Sequence, residues 1–195
     1  MEKTVSEAIQ NRRSVRIFNG NKIDSNKVKN CIYNATLAPN SSNLQLWEFI
    51  HVNDPKSLEK LSKACMNQSA AKTASQIVVV VTRRDLWKKR SKENIEFLNT
   101  QFKKNLITEK RYKHALKYYE KLIPILYFDI LGLLGIIKYV TFQLIGLFIP
   151  VVRQTTKADL RVVVHKTAGL AAQNFMNSMS AIGYDTCPME GSDTL

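Results

Sequence analysis

The chain has 195 residues, 45% hydrophobic and 23% charged, which excludes a disordered or fibrous protein and suits one well-cored domain. Lys and Arg number 29 against 16 Asp and Glu, a net charge of +13 that raises nucleic acid or an anionic membrane as a partner. The whole excess lies in residues 1–121, with 24 basic and 11 acidic side chains, and no reader motif or stacking aromatics accompany it, which sets nucleic acid aside.

Thr4-Val5-Ser6-Glu7 is a capping-box pattern that opens a short helix and delivers Arg12 and Arg13 to its C-terminal end. A second helix follows Asp24-Ser25, because Val28, Cys31, Ile32, Ala35 and Ala38 recur at three- and four-residue steps. Pro39-Asn40-Ser41-Ser42-Asn43 then breaks it, and Trp47–Val52 reads as a strand. Asp54-Pro55 starts another helix with Leu58, Leu61 and Cys65 on one face. Gln76–Thr82 lacks polar alternation and predicts a strand buried on both faces of a sheet.

Residues 86–121 read as helical, with Leu86, Trp87, Ile95, Phe97 and Leu98 as apolar contacts, and residues 83–121 hold 13 basic and 5 acidic side chains. Leu122–Val152 is a break in composition: between Ile130 and Pro150 only Lys138 and Gln143 are strongly polar. Asp159–Ile182 predicts a long helix whose small residues, Ala168, Gly169, Ala171, Ala172, Ser178 and Ser180, permit close approach. Strands alternating with helices argue for a mixed α and β domain. Cys31, Cys65 and Cys187 form neither a disulfide framework nor a metal-ligand spacing, so no metal is expected. The opening MEKTVSEAIQ lacks an apolar signal core, and a reduced cytoplasmic setting is the simplest expectation.

Arg12, Arg13, Ser14 and Arg16 gather fixed positive charge and a hydroxyl, a set suited to a phosphate monoester. Read locally, a solvated basic helix end is the commoner outcome. The polar loop Pro39–Asn43 suits the heteroatom edge of a planar ring, yet an ordinary helix-to-strand connection is again commoner. Their order changes the reading. Arg-Arg-Ser-Val-Arg-Ile-Phe, a helix, Ala-Pro-Asn-Ser-Ser-Asn-Leu-Gln-Leu-Trp-Glu-Phe, then Asn67 ahead of the Val78–Val81 run, and finally Thr186-Cys187-Pro188-Met189-Glu190-Gly191 resemble the FMN-dependent nitroreductase family. The resemblance covers residues 5–82 and 158–193 and leaves 83–157 as a helical, partly very apolar insertion or lid.

The resemblance implies one α+β domain over residues 1–195: a three-layer fold in which a mixed or antiparallel sheet of four or five strands is flanked by helices. It also implies an intertwined homodimer with FMN at each subunit boundary. Arg12, Arg13 and Ser14 match phosphate and ribityl contacts, and Arg16 matches a cation near the pyrimidine end of the flavin, where it stabilises the reduced anion. Pro39, Asn40, Ser41 and Asn43 match the segment given by the partner subunit, and Asn67 matches an amide at the ring edge. Pro188 and Met189 fall in the later cofactor motif, and the backbone of Glu190 and Gly191 matches the positions beside flavin N5. The implied activity is hydride transfer from NAD(P)H through FMN to a nitroaromatic, quinone or enone by a ping-pong mechanism. Because the cofactor carries that chemistry, no side-chain acid or base is required, and His51, His114 and His165 read as surface or strand residues.

Two features depart from the family pattern. Family members continue past the Pro188–Gly191 motif with a further helix, a strand and a C-terminal arm, whereas this sequence stops at Leu195, which reads as truncation. The apolar stretch of 21 residues from Ile130 to Pro150, with Lys138 and Gln143 inside it, approaches bilayer-spanning length, with a basic flank on one side; against spanning stand Lys138 and three glycines. A lid, interfacial contact with a membrane and insertion all fit this segment. The competing functional reading is therefore a membrane-associated, truncated family member without flavin and without activity.

Overall fold

In the computed structural model, residues 2–128 and 133–193 are described. The elements run α1 (Val5–Asn11), α2 (Ser25–Thr36), β1 (Trp47–Val52), α3 (Pro55–Ala64), α4 (Ser69–Thr73), β2 (Ile77–Thr82), α5 (Trp87–Lys103), α6 (Glu109–Lys117), a π-helical turn (Tyr118–Leu122), α7 (Ile123–Tyr127), α8 (Leu133–Ile145) and α9 (Lys157–Ala181). Among the described residues β1 and β2 make a two-stranded sheet, fewer strands than the resemblance implies. Ser14 and Thr186 add a single parallel bridge, too short for a ladder. All six β2 residues are half-buried rather than buried, which corrects the expectation of a strand covered on both faces. In a two-stranded sheet β2 keeps a free edge, and its apolar run is only partly covered on either face, with Val78 against the core.

The chain forms two compact units: residues 1–39, 48–81 and 168–195, and residues 40–47 and 82–167. In the first, Val28 and Cys31 on α2 meet Met179 on α9, with Ile23, Ile32, Val78, Phe175, Ile182 and Tyr184 around them. The predicted α2 face is thus the buried one. Burial pushes the Cys31 thiol up to about 11, aided by the charge of Glu2, so at neutral pH it is a protonated core group. Ala171 and Ser180 of α9 are buried and bear out the small-residue face, whereas a side chain at Gly169 would meet open space. Ser180 Oγ donates to the Ala8 carbonyl at 2.7 Å, fastening α9 to α1.

In the second unit, Leu44, Leu46, Ile123, Tyr127, Leu160 and Val164 form the core, flanked by Leu86, Trp87, Tyr118, Tyr119 and Leu126. The helical stretch expected over 86–121 is two helices, because Asn105 adopts a left-handed φ of 56° and Thr108 caps a new start through Arg111 N. Phe97 lies on the outer face of α5 at 59% exposure, not in the core.

At the start of α9, Thr156 Oγ1 donates to Asp159 at 2.7 Å, and Asp159 N donates back to Thr156 Oγ1 at 3.1 Å. Hydrogen bonds from the Thr156 side chain and backbone hold the Asp159 carboxyl below the usual aspartate range. A carboxyl lowered in the folded state stabilises it fully above the ordinary aspartate value, and this is lost as pH falls through the lower folded value. Urea midpoints measured from about pH 5 to 2 should therefore fall more steeply in the parent than in Asp159→Asn. Leu44→Ala, which empties the centre of the second unit, should cost about 2–5 kcal/mol in urea unfolding of that unit; a shift under about 1 kcal/mol would contradict the packing described.

Candidate functional site

α1 begins with the expected capping box: Thr4 N donates to Glu7 Oε2 at 2.8 Å, and Glu7 N donates to Thr4 Oγ1 at 3.3 Å. It ends at Arg12, so the arginine cluster leaves the helix at its carbonyl end. Arg13 turns back on that end, its Nη1 donating to the carbonyls of Gln10 at 2.6 Å and Arg12 at 2.9 Å. Its charge therefore serves the helix terminus first. Arg12 is half-buried and Arg16 exposed, and neither forms an ion pair among the described residues.

Beyond the cluster, the chain pairs with the C-terminal motif: Ser14 bridges Thr186, and Val15 N donates to the Thr186 carbonyl at 3.2 Å. Phe18 N donates to Thr73 Oγ1 of α4 at 3.0 Å, fixing the far side of the arginine segment. The turn between α3 and α4 holds Met66 and Asn67 at left-handed φ values of 56° and 53°, which presents exposed Asn67 at the tip. Asn67 N donates to the Ser62 carbonyl at 2.8 Å, locking this turn.

The same turn grips the end of the C-terminal motif. Gln68 Nε2 donates to the Gly191 carbonyl at 2.9 Å, and Asp193 N donates to the Ala64 carbonyl at 2.8 Å. Residues 186–193 are thus held at one end by the arginine segment and at the other by the Asn67 turn. Between these ties, the N–H groups of Glu190 and Gly191 donate to no group among the described residues. Thr186 Oγ1 is buried without a partner in the same segment. A side chain at position 191 would bring a carbon to 3.3 Å from Gln68 Nε2, so the Gln68 amide would have to give by a few tenths of an ångström.

These features fit a flat cofactor bearing a phosphate. Arg12 and Arg16 offer charge, Asn67 an amide, and the 190–191 backbone open donors, while half-buried Met189 and exposed Pro188 complete the segment. Pro39 ends the first segment, residues 1–39, of the same unit, after buried Ala38. Asn40, Ser41 and Asn43 belong to the other compact unit and are fixed there. Asn40 Oδ1 accepts from Gln45 N at 2.8 Å, and Asn43 exchanges bonds with Asn94 on α5 at 3.1 and 2.9 Å. Ser42 Oγ pairs with Tyr118 OH at 2.6 Å, and Tyr119 OH donates to the Ser42 carbonyl at 2.9 Å. This loop is consequently rigid, with Ser42, Asn43 and Gln45 all left-handed. His51 pairs with Gln76 at 2.6 Å within the first unit, and His114 and His165 are exposed, in keeping with the sequence reading.

The model of the Nitroreductase family matches residues 9–194. The chain belongs to the Nitroreductase family. Protein DrgA of Synechocystis is 24% identical over 188 residues, covering 96% of this chain and 71% of that protein. The CLA biosynthesis enone reductase of Lactiplantibacillus plantarum is 34% identical over 95 residues, 44% of each chain. A crystal structure of an Exiguobacterium sibiricum protein in complex with FMN shares the fold, with a TM-score of 0.63, 22% identity, and coverage of 97% of this chain and 76% of that one. The nitroreductase-like α+β fold is thereby established for this family member.

Two residues that shape the site escaped the sequence reading, Gln68 and Thr73, while Thr186 was read only as the first residue of the C-terminal motif. Gln68 stands next to Asn67, but nothing in its neighbourhood announces a bond to Gly191, far along the chain. Gly191→Ala should strain the Gln68 bond, and amide hydrogen exchange at Gly191–Asp193 should accelerate while α2 keeps its protection. Unchanged exchange there would show that the clasp does not hold the segment.

Proposed function

We propose that this chain forms the cofactor-binding part of an FMN-dependent oxidoreductase that takes NAD(P)H as donor. The observation that carries the reading is the clamped 186–193 segment, with open N–H groups at Glu190 and Gly191 between the arginine cluster and Asn67. FMN when bound would supply two-electron exchange between NAD(P)H and an electron-poor acceptor, of the nitroaromatic, quinone or enone class. Both partners would use one site in turn, which gives ping-pong kinetics.

Arg12, Arg13 and Ser14 would hold the phosphate and ribityl chain. Arg16 would set a positive charge near the pyrimidine edge and favour the reduced, anionic form. Asn67 would donate to or accept from the ring edge, while the backbone donors of Glu190 and Gly191 would face its redox-active side. Pro39, Asn40, Ser41 and Asn43, on their rigid loop, would complete the site of a second subunit in a homodimer. Residues 83–157 would act as a lid over the substrate side. Contact of residues 130–150 with a membrane would be a separate property, independent of flavin.

Purified protein incubated with FMN and freed of excess by gel filtration should keep the visible absorption of bound flavin. Arg12→Ala with Arg13→Ala should weaken retention by about tenfold or more, since a charge-assisted hydrogen bond is worth about 1.5–3 kcal/mol. A colourless parent protein would overturn the cofactor reading, and equal retention by the variant would overturn the phosphate assignment.

A further inference from the structure

No helix among the described residues is long and apolar enough to cross a membrane. α8, at 13 residues, rises about 20 Å against a hydrocarbon core of about 30 Å. Yet its surface is apolar on most sides. Ile136, Val140 and Leu144 are more than half exposed, and after the helix Leu147, Phe148 and Ile149 follow, with Phe148 at 87%. An exposed apolar patch of this kind marks a contact surface.

Two of the charged groups in this stretch are tied to helix ends, and one of them, Arg153, stays exposed beside the patch. From 124 to 155 the sequence holds three charges, Asp129, Lys138 and Arg153, of which Asp129 lies outside the described residues. Lys138 Nζ donates to the carbonyls of Phe128 and Leu126, occupying the open end of α7. Arg153 donates to Gln143 Oε1 at 2.9 Å and to the Gly146 carbonyl, occupying the end of α8. A side chain at Gly146 would place a carbon at 2.7 Å from the Arg153 guanidinium, so glycine there makes room for this closure. The lysine that argued in sequence against a bilayer-spanning segment thus caps the end of α7.

We infer that α8 and the 147–149 turn dock the second unit on an anionic lipid surface, lying in the interface without spanning the bilayer. Charge selects this occupant. That unit carries 18 of the 29 basic residues and 7 of the 16 acidic ones, a net +11 of the total +13. Anionic headgroups attract such a unit, whereas a second copy of the same face would bring two equally positive units together.

The test is flotation of the full chain with vesicles of phosphatidylglycerol and phosphatidylcholine, against phosphatidylcholine alone. Binding to the anionic vesicles should exceed that to the neutral ones by about tenfold and fall with added salt. The triple variant Leu147→Ser, Phe148→Ser, Ile149→Ser, altered only at exposed positions, should lose binding with its circular dichroism melt unchanged. Lys88→Glu with Lys89→Glu, on the exposed face of α5, should weaken anionic binding and leave the weak neutral binding as it was. Failure of the parent to float, or floating of the serine variant like the parent, would overturn the proposal. So would insensitivity to salt and to the lysine variant, or a loss of self-association in the serine variant with no vesicle binding in the parent. Flavin absorption of the same samples reports separately: a chain that floats without flavin keeps this inference and loses the cofactor reading, and one that holds flavin without floating does the reverse.

Discussion

The site rests on the main-chain tie between Val15 and Thr186, reinforced by the Gln68 bond to the Gly191 carbonyl. These bonds join three pieces of chain that sequence keeps far apart: the end of α1, the turn after α3 and the segment after α9. Each piece has a local stop that places its polar groups. α1 ends at Arg12, the α3 turn closes through two left-handed residues, and α9 ends before Gly183 at a φ of 84°. The ties hold both ends of 186–193 and leave its middle with unused donors. That is how a segment of ordinary loop composition becomes a binding edge.

The polar loop 40–45 follows a different logic. Its three left-handed residues would be costly in a loose loop, but Tyr118, Tyr119 and Asn94 satisfy its groups from the side. Leu44 and Leu46 then anchor it in the core. Burial pushes the hydroxyl of Tyr119 upward in pKa, so it remains a donor to Ser42 through the neutral range. A sequence rich in Asn and Ser therefore gives a fixed surface here and not a mobile one.

In the apolar stretch, hydrogen bonding decides what charge does. Buried or lipid-facing cations are costly unless their donors are matched, and helix ends offer unmatched carbonyls. Lys138 and Arg153 meet that need at the ends of α7 and α8. The exposed surface of α8 and the 147–149 turn is then mostly Ile, Leu, Val and Phe, with Arg153 exposed beside it. The unit that holds most of the net charge also carries the exposed apolar run of α8 and 147–149.

What the sequence determined was local and periodic. The Thr4 box, the α2 face through Val28, Cys31 and Ala35, the Asp54-Pro55 start of α3 and the long α9 were legible because caps and helical spacing act within a few residues. The order of the Arg12–Arg16, Asn40–Asn43 and Pro188–Gly191 motifs pointed to the family for the same reason, since each motif is contiguous. Tertiary structure alone decided the rest. The apolar run of β2 looks alike whether its faces are fully or only partly covered, and the elements packed against the sheet settled it. Asn105 alone does not announce the break between α5 and α6, because a left-handed asparagine is permitted but not required. The clasp of Gln68 on Gly191, the orphan hydroxyl of Thr186 and the inward turn of Lys138 depend on distant backbone groups whose positions no neighbouring residue encodes.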